Sequence, residues 1–195
     1  DLGPYLTSPS VWIKDPETGW INCGILRIYV SGPKTLVVNF NAARHTNYIF
    51  QKSKTLKRNV PLIIGMGHHP AFYMGAQTKI LTDEPQIIGG VMGEPLELTP
   101  SETWGMEMLV PAQADIVMEA EMSYEAVDLE APFGEYTQYY CGQKLNPVAD
   151  VKAITHRKDA FYLDIMPGHA DHLLLDALMI EAYVYSRIKE VVPGV

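Results

Sequence analysis

Apolar residues along this chain come in short runs broken by Pro, Gly, Ser and Asp, a spacing that suits strands better than helices. Residues 1–19 are rich in turns: Gly3-Pro4, Ser8-Pro9-Ser10 and Asp15-Pro16-Glu17-Thr18-Gly19. The last of these divides Val11-Trp12-Ile13 from the mostly apolar stretch 20–30, which predicts a hairpin. Ser31-Gly32-Pro33 turns the chain into a strand at 35–40. A polar segment, 46–58, reads as a helix with basic residues toward its end. Residues 61–67 form an apolar run bounded by Pro and Gly, the mark of a buried strand, and 71–77 a short helix. Thr82-Asp83-Glu84-Pro85 has the cap and early acids of a helix start, weakened further on by Gly89-Gly90. Strands follow at 96–98 and 114–122, then a strand pair at 148–156 and 161–166 around Arg157-Lys158-Asp159. The clearest helix is 171–190, where Leu174, Ala177, Leu178, Glu181, Ala182 and Tyr185 keep a period near 3.6 until Pro193-Gly194 stops it. Closely spaced strands with few helices predict an α+β, mainly β fold: a barrel-like core with peripheral helices.

Composition narrows the class. At 195 residues and 47% hydrophobic, the chain suits one domain with a real core. A net charge of −8 argues against a nucleic-acid partner and against an anionic membrane surface. No run approaches the roughly 20 apolar residues of a membrane span. Cys23 and Cys141 lack metal-type spacing, so reduced thiols are the default. The chain opens on Asp1-Leu2 with no basic or apolar leader and ends on an apolar tail. A cytoplasmic location is expected, with both ends cut from something longer.

Candidate chemistry centres on Glu130-Ala131-Pro132-Phe133-Gly134-Glu135-Tyr136. Pro and Gly between two acids bend the backbone, so both can face one pocket, where paired carboxylates do acid–base work. The alternative is a solvated acidic turn. Asn22 and Arg27 are the polar exceptions in an apolar strand and need partners if buried. Their offset of five sends them to opposite faces of an ideal strand, so a shared site requires a bend, for which Gly24 is the expected place. Asn22, His45 and Glu84 make a suitable ligand set for Mn²⁺ or Mg²⁺ if the fold gathers them. His68-His69 point opposite ways on an extended chain, and Asp171 in His169-Ala170-Asp171-His172 is expected to cap the last helix. No Walker loop, GxGxxG, HExxH or GxSxG is present.

In order and spacing, several stretches together resemble the UbiD family of reversible decarboxylases that use prenylated FMN (prFMN). Asp15-Pro16-Glu17-Thr18-Gly19 through Asn22 and Arg27 resembles its DPETG…N-x4-R segment. Gly67-His68-His69-Pro70 is similar to its G-x-x-P turn, and Asp83-Glu84 with Gly93-Glu94-Pro95-Leu96-Glu97 to its acidic segment. Residues 110–119 resemble VPA-x-AEIVLEG, 130–140 EGPFGEYTGYY, and 151–157 V-x-AITHR. The resemblance implies a single split-β-barrel, flavin-reductase-like domain over 1–195 that binds prFMN. It lacks the family's N-terminal region and C-terminal oligomerisation domain. It implies that Asn22, His45 and Glu84 hold Mn²⁺ against the cofactor phosphate, with Ile25, Leu26 and Arg27 also at the cofactor. K⁺ would lie beside Trp20, Gly75, Ala76 and Thr78. Arg27, Glu130 and Glu135 would form the catalytic network, with Arg27 orienting the substrate carboxylate and Glu135 donating the proton. The implied reaction is reversible loss of CO₂ from an aromatic, phenolic or conjugated acid. A flavin prenyltransferase would supply the cofactor, and the full-length protein would be a homo-oligomer. The alternative is a cofactor- and metal-binding module or subunit, inactive alone. Ala131 and Gln138 stand where the family usually has Gly.

Overall fold

The computed structural model describes residues 3–78, 82–192 and 194. The chain's centre is an eight-stranded, wholly antiparallel sheet that curls into a half-barrel. Its strands in chain order are β1 (Tyr5–Leu6), β2 (Ser10–Lys14), β3 (Ile21–Ile25), β4 (Ile28–Val30), β5 (Thr35–Val38), β6 (Val60–Met66), β9 (Ile116–Glu130) and β12 (Lys144–His156). They lie in the order β1-β4-β5-β12-β9-β6-β2-β3. Two small hairpins stand apart: β7 (Leu98–Ser101) with β8 (Gly105–Pro111), and β10 (Phe133–Gly134) with β11 (Tyr140–Cys141). Four helices complete the described residues: α1 (His45–Thr55), α2 (Pro70–Ala76), α3 (Glu84–Met92) and α4 (Ala170–Val191).

The β2–β3 hairpin forms where the turn chemistry predicts it. Asp15 Oδ1 accepts from the backbone N–H groups of Glu17 and Thr18, and Gly19 takes the left-handed φ of +76°. Lys52 from α1 reaches Asp15 Oδ2 at 2.7 Å and ties helix to turn. Burial raises the Asp15 pKa, but the Lys52 hydrogen bond and the two N–H donors outweigh it and hold the carboxyl below its usual range.

Strands β2 and β6 are apolar throughout because both faces are covered. Val11, Ile13, Leu62 and Ile64 point into one core with Ile28, Val38, Ile49 and Met122. Trp12 and Ile63 point into a second, with Phe72 of α2, Ile88 of α3 and Val110 of β8. Gly75 permits the tight α2–α3 packing, since a Cβ there would lie 2.7 Å from the Ile88 Cα.

The structure departs from expectation in several places. Residues 161–166 are irregular and not a strand. The strand expected at 114–122 runs on to Glu130, because β9 finds a partner in β12 along its whole length, with register shifts at Pro147/Ala149 and Val151/Ala153. The 96–98 strand starts later, at Leu98, and pairs with β8, which has no clear pattern in sequence. Its turn is pinned by buried Glu119, which accepts from Ser101 Oγ and the backbone N–H groups of Glu102 and Thr103. Asp171 does not cap α4: His169 is the capping position and Asp171 accepts from its ring instead. The apolar stripe of α4 is real in sequence, yet none of its residues is buried. Asp1 and Leu2 at the chain's opening, and Pro193 and Val195 at the helix stop and tail, lie outside the described residues.

Ile64→Ala is expected to cost about 2–5 kcal/mol, whereas Ile154→Ala, at a position 58% exposed, should cost less than about 1 kcal/mol. Denaturant unfolding of the two variants measures the contrast.

Candidate functional site

Arg27 owes its position to a break in the sheet. The β2–β3 pairing is regular through Gly24, so the bend expected there is absent. The chain instead leaves the sheet after Ile25 and re-enters at Ile28, with the Leu26 N–H donating to the Pro9 carbonyl and the Asn39 N–H to that of Arg27. This gap resolves the parity conflict between Asn22 and Arg27.

Glu130 arrives from the far end of β9, and Glu135 from the β10–β11 hairpin directly after Phe133–Gly134. Arg27 Nε donates to Glu130 Oε1 at 2.7 Å, and Arg27 Nη1 donates to Glu135 Oε1. Two residues that the sequence did not single out complete the group. Asn39, just after β5, and Asn146, diagonally across the strand pair from Glu130, each donate to Glu130 Oε2 at 2.7 Å. Cys141 Sγ lies 3.2 Å from Arg27 Nη2, and the Phe133 ring faces the guanidinium at 4.8 Å. The side chain of Glu130 is 1% exposed and that of Glu135 is 32% exposed. The two acids therefore differ in kind: one saturated and sealed, the other open. Burial alone would lower the Arg27 pKa, but hydrogen bonding and charge from Glu130, then Glu135, raise it.

A cavity of about 610 Å³ lies over this group, within the range of small-molecule sites. Arg27, Glu135, Phe133 and Cys141 line it, with Ile25, Leu26, Tyr73 of α2 and Asp176 of α4. Gln138, left-handed at φ +68°, turns the hairpin tip that presents Glu135.

A second, small cavity of about 60 Å³ shares Ile25, Leu26 and Arg44 with the first. Asn22, His45 and Glu84 all line it. Asn22 Nδ2 donates to Glu84 Oε1 at 2.5 Å, Thr46 Oγ1 donates to Asn22 Oδ1 at 2.9 Å, and His45 Nδ1 lies 3.9 Å from Glu84 Oε1. Glu84 Oε2 is buried with no hydrogen bond. Desolvation pushes the Glu84 pKa up to about 7, against the opposing bonds from Asn22 and the backbone. An orphaned carboxylate oxygen beside an imidazole and an amide fits a hard divalent cation. Turning the Asn22 amide over would present its oxygen to the same point and leave its nitrogen facing Thr46 Oγ1. Among the described residues no three His, Cys, Asp or Glu gather, so any such ion depends on the Asn oxygen.

Of the residues expected around a monovalent ion, Ala76 and Thr78 line this small cavity, and Thr78 Oγ1 is buried without a partner. Trp20 packs edge-on to His45, its indole N–H donating to the Thr82 carbonyl. Gly75 is buried. The histidine pair separates as expected. His69 accepts from the Ala71 N–H at the start of α2, while His68 is buried, stacks on Phe72 and meets Ser10 Oγ at 2.8 Å. Burial lowers the His68 pKa to about 3, so it stays neutral.

Residues 1–170 match the family model described as UbiD, 3-octaprenyl-4-hydroxybenzoate carboxy-lyase Rift-related domain. The chain is 32% identical over its whole length to 46% of an anhydromevalonate phosphate decarboxylase from Methanothermobacter thermautotrophicus. In structure it resembles HmfF from Pelotomaculum thermopropionicum, a UbiD-class enzyme in complex with prFMN. The TM-score is 0.93 at 34% identity, covering 98% of this chain and 44% of that one. It also resembles the 3,4-dihydroxybenzoic acid decarboxylase AroY of Klebsiella pneumoniae, with a TM-score of 0.90 at 27% identity, covering 100% and 42%. The chain thus spans less than half the length of these relatives.

The raised Glu84 pKa has a definite sign. Between the ordinary 4.5 and about 7 the folded chain holds the proton more tightly than the unfolded chain. Its contribution to stability is therefore full below 4.5 and lost as pH rises through 7. Relative to Glu84→Gln, the chain without metal is expected to lose about 3 kcal/mol across that window, at about 1.4 kcal/mol per unit. Melting temperatures of the two proteins against pH check this.

Proposed function

The chain belongs to the UbiD family, and we propose that it is the prFMN-binding domain of a reversible carboxy-lyase acting on an aromatic, phenolic or conjugated acid. The observation that carries this reading is the Arg27–Glu130–Glu135 group facing a cavity of about 610 Å³. AroY is named for a dihydroxybenzoic acid, which supports a phenolic substrate. In this reading the half-barrel is a split-barrel, flavin-reductase-like domain over 1–195. The full-length protein is cytoplasmic and homo-oligomeric, with its cofactor supplied by a flavin prenyltransferase.

Arg27 pairs with the substrate carboxylate through the N–H groups that Glu130 does not take, which fixes the acid in the cavity. Glu130, saturated by Arg27, Asn39 and Asn146, stays in place as the anchor for Arg27. Loss of CO₂ breaks the bond between the carboxyl carbon and its neighbour and leaves the electron pair on that neighbour. Bound prFMN supplies the electron sink for this pair. Glu135 delivers the proton that replaces CO₂. Its openness to the cavity and its single side-chain hydrogen bond leave it able to do so. A substrate carboxylate beside it favours the protonated acid, since two anions crowd one guanidinium. Asn22, His45 and Glu84 would hold Mn²⁺, which supplies positive charge for the cofactor phosphate. Trp20, Gly75, Ala76 and Thr78 would hold K⁺. Ile25 and Leu26 line both cavities and would pack against the cofactor.

The second reading, a cofactor-binding module inactive alone, is favoured by the chain's coverage of under half of its relatives. Anaerobic reconstitution with prFMN and Mn²⁺, followed by CO₂ release from a panel of aromatic acids, separates the two. Turnover by the 195-residue chain removes the module reading; flavin absorbance without turnover supports it. In the full-length protein, Glu135→Gln should lower kcat by at least about 100-fold with flavin retained. Retained turnover would remove Glu135 as proton donor. His45→Ala should weaken metal and flavin retention together, read by metal analysis and flavin absorbance. Unchanged retention of both would remove His45 as a ligand.

A further inference from the structure

Two polar atoms facing the large cavity have no partner. Asp176 lies in the second turn of α4 and lines the cavity opposite no cation of its own. Its Oδ1 is shut off from solvent and makes no hydrogen bond. Tyr73 on α2 is 2% exposed, lines the same cavity, and its hydroxyl is likewise unpaired. Each such atom costs about 1–3 kcal/mol when left unsatisfied, so buried polar groups without partners call for an explanation. The cations of the cavity do not provide one. Arg27 is committed to Glu130 and Glu135, Lys144 donates to the Phe40 carbonyl, and no ion pair joins Arg44 to Asp176.

We propose that Asp176 determines substrate specificity by accepting a hydrogen bond from a hydroxyl group of the acid whose carboxylate Arg27 holds, with Tyr73 as a second contact for hydroxyl substituents. The inference rests on the reading of the cavity as an acid-binding site. The chemistry of the two atoms selects the group. A carboxylate only accepts, so it requires a donor, and a phenol hydroxyl both donates and accepts. A hydroxyl substituent complements both, because it donates to the carboxylate and accepts from the phenol. An ammonium group has no lone pair for Tyr73. A methoxy group has no proton for Asp176, and a plain arene satisfies neither. Water fills the role when the cavity holds no acid, and the hydroxyl replaces it. A site built to bond a hydroxyl discriminates strongly against the analogue that lacks it, because its buried polar groups are then stranded.

The test uses the full-length protein loaded with Mn²⁺ and unmodified FMN, so that binding is measured without turnover. Benzoate, the 3- and 4-hydroxybenzoates and the matching methoxybenzoates are titrated by calorimetry. At least one hydroxybenzoate should bind about 10–100-fold tighter than benzoate and its methoxy analogue. Asp176→Leu should collapse that ratio toward one while benzoate binding stays measurable. Asp176→Asn, which keeps an acceptor without charge and guards against misfolding of the Leu variant, should give an intermediate ratio. Arg27→Ala should weaken every acid alike. A hydroxyl preference absent from the wild type, or surviving in both Asp176 variants, overturns the inference and leaves the acid-binding reading intact. Equal weakening of all acids by both Asp176 variants makes the residue structural and also overturns it. Binding of every acid unaffected by Arg27→Ala overturns the acid-binding reading. Absence of binding by any acid overturns both.

Discussion

A half-buried guanidinium with a sealed carboxylate behind it is the constraint on which the site depends. Taking either charge from water alone would cost several kcal/mol, so neither Arg27 nor Glu130 is tolerable without the other. Their contact joins strands that are remote in sequence: the gap between β3 and β4, and the far end of β9. Asn39 and Asn146 fill the remaining lone pairs of Glu130, so the anion has four side-chain donor contacts and no vacancy. The guanidinium is thereby fixed from behind, and its front edge is left for whatever enters the cavity.

The two cavities divide labour along one stretch of chain. Asn22 faces the small cavity, Arg27 the large one, and Ile25 and Leu26 lie in the lining of both. A ligand with a charged tail and a flat reactive head suits such a pair of chambers, one built for a cation and the other for an organic acid. Glu84 is held ready for a cation at the expense of the metal-free state: its carboxylate is buried with one oxygen unsatisfied.

Local chemistry made part of this legible in the sequence. The β2–β3 turn follows from Pro, Asp and Gly, whose backbone preferences act over a few residues. The convergence of Arg27, Glu130 and Glu135, and of Asn22, His45 and Glu84, came from family resemblance, because spacing alone cannot bring together residues separated by about 60 to 110 positions. What was misplaced depended on pairing. Gly24 looked like the bend because glycine permits one, yet its ladder with Val11 is regular and the break falls where Leu26 finds Pro9 instead. β9 outruns its apolar pattern because β12 supplies hydrogen bonds along its polar half. Asn39, Asn146 and Asp176 gave no signal, since an isolated polar residue acquires meaning only from what lies across the fold.

The β9–β12 ladder has a consequence for how this family can vary in length. Glu130 sits at the end of a continuous ribbon, and side chains alternate faces along it. Loss or gain of a single residue between 123 and 129 would turn Glu130 away from Arg27, whereas a matched change in both strands would merely move it along the ribbon. The hairpin tip at 136–139 lies beyond that ribbon, so residues can be added there without reversing either face. Natural length variation is therefore expected to collect at the tip, beside Glu135, and to be scarce in the ribbon that carries Glu130.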